Sequence, residues 1–258
     1  MKVVILCGGK GTRIRDISEE VPKPMIPIGD HPIVKHIMDI YSNHNYKKFI
    51  LCLGYKSWAF KEYFMNYSFM SKDISIDLKN NCRIDFPEKE QIPEWEITLA
   101  QTGKNSETGS RIKKIEKYIG KNRFMITYGD GLGNINITEL VKFHKSHGKL
   151  MTITSVRPPS RFGEMIIKGD RVESFIEKPQ TTLGQINGGF FVCEPQIFDY
   201  LSDSEDCILE KKPLKSLAED GQLMQYSHNG FWMPMDTSRE YKLLNNMWDS
   251  NDTPWLDN

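Results

Sequence analysis

The sequence predicts an α/β protein built on a Rossmann-like, mostly parallel sheet flanked by helices, with additional β hairpins in its second half. Three observations carry this. The apolar runs from Val3 to Cys7 and from Lys48 to Leu53 are continuous rather than alternating, as in strands buried on both faces. Segments of helical period separate such runs through the first half, the β-α alternation of a parallel sheet. The first run also opens straight into Gly8-Gly9-Lys10-Gly11, at the strand end where open α/β sheets hold their ligands.

The elements follow in order. A helix is expected over roughly 32–44, with Ile33, Ile37, Ile40 and Tyr41 on one face. A strand over 48–53 ends at Gly54, a helix covers 56–66 and a strand 74–78. Residues 80–96 have no clear period and carry Pro87, Pro93 and several acidic side chains. They read as a long surface excursion, a lid or a contact arm. A helix at about 110–119 precedes a strand at 123–128, and another helix spans 137–147. Beyond residue 148 come strands at 150–156, 164–168, 171–177 and 186–193, the middle two a hairpin turning on Gly169-Asp170. A helix near 208–220, a strand near 222–227 and a helix at 238–248 complete the chain. The simplest division is a single domain, 1–258, in two halves (1–148 and 149–258).

Composition narrows the function. Lys plus Arg equals Asp plus Glu at 34 each, so no net field draws nucleic acid or an anionic membrane. Any anion site is local. No apolar run approaches the ~20 residues of a membrane span, and the apolar start is too short for a signal peptide. The five cysteines form no C-x-x-C pair, which favours reduced, buried thiols and a cytoplasmic location and gives zinc no support. His31, His36, His44, His144 and His147 fall in polar, helix-like segments and are expected at the surface.

The glycine turn lets backbone N–H groups approach phosphate oxygens closely. Arg13 and Lys23 place a planar cation and a point charge beside it. The third glycine of a dinucleotide fingerprint is missing, and so is the Ser or Thr of a P-loop. Lys23, between Pro22 and Pro24, is either a charge aimed by a stiff extended segment or the solvated middle of a loop. Asp130, between Gly129 and Gly131 at the end of an apolar strand, suits either a binding carboxylate or an ordinary turn.

Gly8 to Arg13 together with Pro22-Lys23-Pro24-Met25 resembles the signature of the sugar-phosphate nucleotidyltransferases. Tyr128 to Gly131, Pro158 to Gly163, Glu177-Lys178-Pro179, Ile186 to Phe191 and Phe231 to Thr237 extend the likeness in order to about residue 255. The resemblance implies CTP and glucose 1-phosphate as substrates and CDP-glucose and pyrophosphate as products, in the service of surface polysaccharide synthesis. Another base or sugar of the same family (dTTP or UTP in place of CTP), or a non-catalytic nucleotide-sugar binder, remains open at this point.

The same resemblance implies Mg2+ on Asp130 and Asp236, and a catalytic set of Arg13, Lys23, Asp130 and Asp236. It puts the nucleotide on Leu6, Gly8, Gly9, Lys10, Gly11, Thr12, Arg13, Lys23, Thr102, Gly103, Arg111 and Gly129, although Arg111 also suits a solvated helix position. Tyr128, Gly163, Glu177, Lys178, Asn187 and Gly188 are implied for the sugar, which makes 149–258 the sugar-binding and C-terminal half. Glu177-Lys178 also reads as a solvated pair, and Tyr128 as a core residue. Arg161 is a candidate to close over the nucleotide. A homo-oligomer is implied, its subunits sharing the 80–96 arm, because Ile92 and Trp95 are too apolar to leave in water. Cys7 for a usual alanine and Lys10 in the turn are mild departures.

Overall fold

The computed structural model describes residues 1–9, 11, 21–70, 73–79, 83–85, 93–158, 164–168, 171–176 and 184–256. Among these, seven strands form one sheet. They are β1 (Lys2–Leu6), β2 (Lys48–Leu53), β3 (Glu96–Gln101), β4 (Phe124–Tyr128), β5 (Met151–Val156), β6 (Ile186–Cys193) and β7 (Leu223–His228). Their spatial order is β7-β5-β6-β4-β1-β2-β3. β1 runs parallel to β2 and β4, β2 to β3, and β5 to β7. Only β6 opposes its neighbours, lying antiparallel to β4 and β5.

Helices cover both faces, as the unbroken apolar strands require. On one face α1 (Ile33–Asn43), α4 (Ile137–His147) and α6 (Ser238–Asp249) pack Ile37, Leu140 and Leu244 against Val3, Ile5, Leu51 and Met125. On the other, Ile112 of α3 (Thr108–Lys114) and Leu217 of α5 (Lys212–Glu219) meet Val4, Ile50 and Ile126. Each fully buried aliphatic side chain contributes about 1.5–3 kcal/mol by leaving water. Local signals set the helix ends. Asn136 Oδ1 accepts the Glu139 N–H to start α4, and Gly148 at φ +66° ends it. α2 (Ser57–Met65) lies between β2 and β3 in sequence and buries Phe60.

The structure departs from the sequence expectations at several points. The expected excursion contains a strand, Arg83–Asp85, antiparallel to Ser75–Asp77, and it ends where β3 begins. β3 carries no continuous apolar signal because it is an edge strand whose polar and apolar residues alternate. Trp95 is covered by its own chain: its ring meets Phe49 and Tyr67, and Nε1 donates to Ser42 Oγ at 3.1 Å. Ile92 lies outside the described residues. The expected helix at 110–119 is interrupted at Ile115 and resumes as one turn, Glu116–Ile119. The hairpin of Glu164–Lys168 with Arg171–Ile176 is present, with its turn residues outside the described set.

His36 and His144 are core residues rather than surface ones. His36 Nε2 donates to the Ile28 carbonyl at 2.9 Å, and Trp255 Nε1 points at His36 Nδ1 at 3.4 Å. A carbonyl only accepts and an indole only donates, so these partners select one neutral tautomer. Burial pushes the His36 imidazole down to about 4, and that of His144 likewise despite Glu194 beside it. Cys7, Cys52 and Cys193 are buried free thiols, as expected, whereas the free thiol Cys207 is only half-buried and Cys82 lies outside the described residues. Among the described residues no helix is long and apolar enough to cross a membrane.

Candidate active site

A cleft of about 930 Å³ opens at the carboxyl ends of β1 and β4, walled by the glycine turn, β6 and the start of α6. Two carboxylates far apart in sequence meet there through a short ladder. Gly131–Gly133 pairs antiparallel with Trp232–Pro234, Gly131 opposite Pro234. The Met235 N–H extends the ladder by donating to the Asp130 carbonyl at 2.8 Å. Asp130 and Asp236 therefore stand side by side. Gly129 is required here, since a Cβ would lie 2.9 Å from both the Leu6 carbonyl and Pro24 Cγ.

Lys23 completes the group. Its Nζ donates to Asp130 Oδ2 at 2.6 Å and to Asp236 Oδ1 at 2.5 Å, with the side chain only 11% exposed. The backbone differs from the expected extended segment. Pro22 is extended, but Lys23–Met25 is a single 3-10 turn closed by Met25 N–H to Pro22 O. Proline at the second position of that turn fixes its φ without losing a needed donor. Burial, the largest influence on the Lys23 ammonium, disfavours its charge, yet Asp130 and Asp236 together carry it above its ordinary value. Lys23 is thus a held charge and not a solvated loop residue.

Asp236 precedes α6, whose first turn is closed by a capping box. Glu240 Oε2 accepts from the Asp236 and Thr237 N–H groups at 2.8 and 2.9 Å, and Thr237 Oγ1 accepts the Glu240 N–H. This anchors the carboxylate at the positive end of a helix dipole.

The donor set fits a hard divalent cation. Both carboxylates converge on one point, which the Lys23 ammonium occupies. Two carboxylates leave coordination positions for phosphate oxygens and water, the pattern of ions bound jointly with a nucleotide. Among the described residues no group of three or more His, Cys, Asp or Glu side chains that could hold a metal ion occurs.

Arg111 is buried, not solvated. Nη1 donates to Leu53 O, Thr102 Oγ1 and Gly103 O, and Nη2 to Gly8 O at 3.0 Å. A Cβ on Gly8 would fall 2.1 Å from its guanidinium carbon. The residue braces the ends of β1 and β2 and sets a positive charge directly behind the glycine turn. Thr102 and Gly103 support it from behind the cleft wall, with Thr102 Oγ1 also donating to Leu53 O at 2.8 Å.

At the far end, Asn187 Nδ2 donates to Tyr128 Oη at 2.9 Å, and Asn187 Oδ1 accepts the Gly189 N–H. Trp232 Nε1 donates to Gly188 O at 2.8 Å, tying β6 to the ladder. Leu6, Gly8, Gly9, Gly11, Gly129, Tyr128, Asn187 and Gly188 all line the cleft with Lys23, Arg111, Asp130 and Asp236. Lys10, Thr12, Arg13, Arg161, Gly163, Glu177 and Lys178 lie outside the described residues. Sequence reasoning misses Trp232 and Arg239, which also line the cleft, and Glu210 behind Tyr128. Arg239 follows Met-Asp-Thr by two positions, the one local signal that points to it.

An α/β sheet with a glycine turn, a lysine and two convergent carboxylates at its carboxyl edge is the framework of a protein that handles nucleotide phosphates. The nucleotidyl transferase family matches residues 2–248, and the chain belongs to that family. It is 44% identical over 256 residues to the glucose-1-phosphate cytidylyltransferase of Salmonella typhimurium (strain LT2), covering 99% of this chain and 98% of that one. It is 40% identical to a protein of Bacillus subtilis (strain 168) described as a probable glucose-1-phosphate cytidylyltransferase, covering 99% of each. Among solved structures, UDP-glucose pyrophosphorylase from Acinetobacter baumanii superposes with a TM-score of 0.68 at 13% identity, covering 99% of this chain and 95% of that one. That last likeness speaks for the fold alone.

Proposed function

We propose that this protein transfers the cytidylyl group of CTP to α-D-glucose 1-phosphate, giving CDP-glucose and pyrophosphate. The observation that carries the reading is the Asp130–Lys23–Asp236 group, set in a chain 44% identical to a curated enzyme of that activity. A phosphate oxygen of the sugar phosphate forms the new bond to the α-phosphorus, and the bond to the pyrophosphate oxygen breaks on the opposite side. The nucleophile is already ionised, so no general base is needed. The protein's task is to overcome repulsion between two anions and to stabilise charge on the group in flight.

Lys23 serves that charge at the α-phosphate. Asp130 and Asp236 would hold a divalent cation, Mg2+ by the oxygen character of the pair, which would supply further neutralisation of phosphate charge, with the Lys23 ammonium then available to the α-phosphate. The glycine turn and Arg13 hold the outer phosphates. Arg111 contributes through its charge behind Gly8, with both Nη1 protons and one of Nη2 held by framework acceptors. Leu6 and Gly8 offer backbone to the base, while Tyr128, Asn187 and Gly188 frame the sugar with Gly163, Glu177 and Lys178.

Pyrophosphate release measured with CTP, UTP, dTTP, ATP and GTP against glucose 1-phosphate tests the assignment. CTP is expected to lead by at least about tenfold, or ~1.4 kcal/mol. A tenfold preference for UTP or dTTP moves the protein to another substrate pair.

The reading includes self-association in a cytoplasmic enzyme. Trp58 (65% exposed), Met65, Met70 and Leu78 (78% exposed) are exposed apolar side chains on α2 and the segments that follow it in sequence. So many exposed apolar side chains in one stretch support an interaction surface there. Scattering from the purified protein is expected to give at least a dimer mass, and a monomer at micromolar concentration refutes this part.

A further inference from the structure

Behind the wall of the cleft, Glu210 ends a chain of hydrogen bonds whose direction is fixed at each step. Glu210 Oε1 accepts from Tyr128 Oη at 2.5 Å, and Oε2 accepts from Thr108 Oγ1 at 2.7 Å. The Thr108 hydroxyl in turn accepts the Leu209 N–H at 2.9 Å. A carboxylate only accepts, so both hydroxyls must donate to it. Tyr128 Oη, its proton committed, is left as an acceptor, and Asn187 Nδ2 donates to it at 2.9 Å. The Gly189 N–H donates to Asn187 Oδ1 at 2.8 Å and fixes the same amide orientation from the other side. Among the described residues one amide proton of Asn187 has no partner, on a residue that lines the cleft together with Tyr128 and Asp130.

We propose that Glu210 is a positioning residue for the sugar: it fixes Tyr128 Oη as an acceptor, so that Asn187 presents its remaining N–H to a sugar hydroxyl. This rests on the reaction proposed above. Glu210 itself is exposed and off the cleft lining, so it acts through Tyr128 rather than by touching the substrate. The geometry also explains Gly189, at φ +81°. A Cβ there would lie 2.5 Å from Tyr128 Cδ2 and push the ring off this line.

Glu210→Gln tests the idea with the least change in shape. A carboxamide has one accepting oxygen, so Tyr128 or Thr108 loses its acceptor. Wild-type turnover of CTP and glucose 1-phosphate is measured first, and its absence defeats the proposed reaction. With turnover present, Glu210→Gln is expected to raise KM for glucose 1-phosphate about tenfold while KM for CTP stays within about twofold. In a Tyr128→Phe background the same substitution is expected to add nothing, because the two act as one unit. A parallel rise in both KM values, or effects that multiply, overturns the proposal. A crystal structure of the ligand-free Glu210→Gln variant provides a readout independent of activity. Separation of Asn187 from Tyr128 Oη supports the positioning role, and an unchanged pair overturns it.

Discussion

Asp130→Asn is expected to lower turnover on the order of 10³-fold while leaving the protein folded. The amide matches the carboxylate in size. The ladder bond from Met235 goes to the Asp130 backbone carbonyl and survives the change. What is lost is one of the two negative oxygens that converge on the cation position, together with one partner of Lys23. Asp236→Asn is expected to behave alike, since its backbone is held independently by the Glu240 carboxylate. Initial rates at saturating Mg2+, with circular dichroism as the check on folding, decide the matter. A near-normal rate for either variant removes that residue from the catalytic set.

For Lys23→Ala the expected loss in kcat is about 10²-fold or more, the scale of a deleted electrostatic contact to a transition state. The variant has a second signature. Without the ammonium, two carboxylates face each other in a partly buried setting with no counter-charge from Lys23. The ligand-free variant is therefore expected to melt below wild type, and Mg2+ to recover part of the difference by binding the folded form preferentially. Thermal melts with and without Mg2+, alongside steady-state kinetics, test both halves. An unchanged kcat with folding intact leaves the chemistry to the other groups and reduces Lys23 to an ion-pair partner.

The parts of this molecule that the sequence announces are those governed by short-range rules. β1, β2 and β4 are continuous apolar runs, and α1 carries an unbroken 3.6-residue stripe from Ile33 to Tyr41. Gly8 and Gly11 mark a turn in any context. Residues whose role depends on distant partners are harder to read. Nothing local to Asp130 or Asp236 says that three-residue strands will pair Gly131 with Pro234. Arg111 reads as a helix cation until the ends of β1 and β2 arrive around it. His36 and His144 look polar in sequence, yet each also meets a partner far along the chain, Trp255 and Glu194 respectively. Glu210 sits in an irregular stretch with no motif, and only the folded chain shows that it meets Tyr128.

The ladder that joins the two carboxylates also gives the protein a clock. Lys23 and Asp130 are separated by 107 residues, and Lys23 and Asp236 by 213. A growing chain emerging from the ribosome displays its glycine turn and Lys23 early, then Asp130 halfway through synthesis, and only near the end the strand Trp232–Pro234 that brings Asp236. Contacts of such separation must first offset a large loop-closure entropy. A stalled or truncated product ending before that strand carries one carboxylate beside Lys23 and lacks the second.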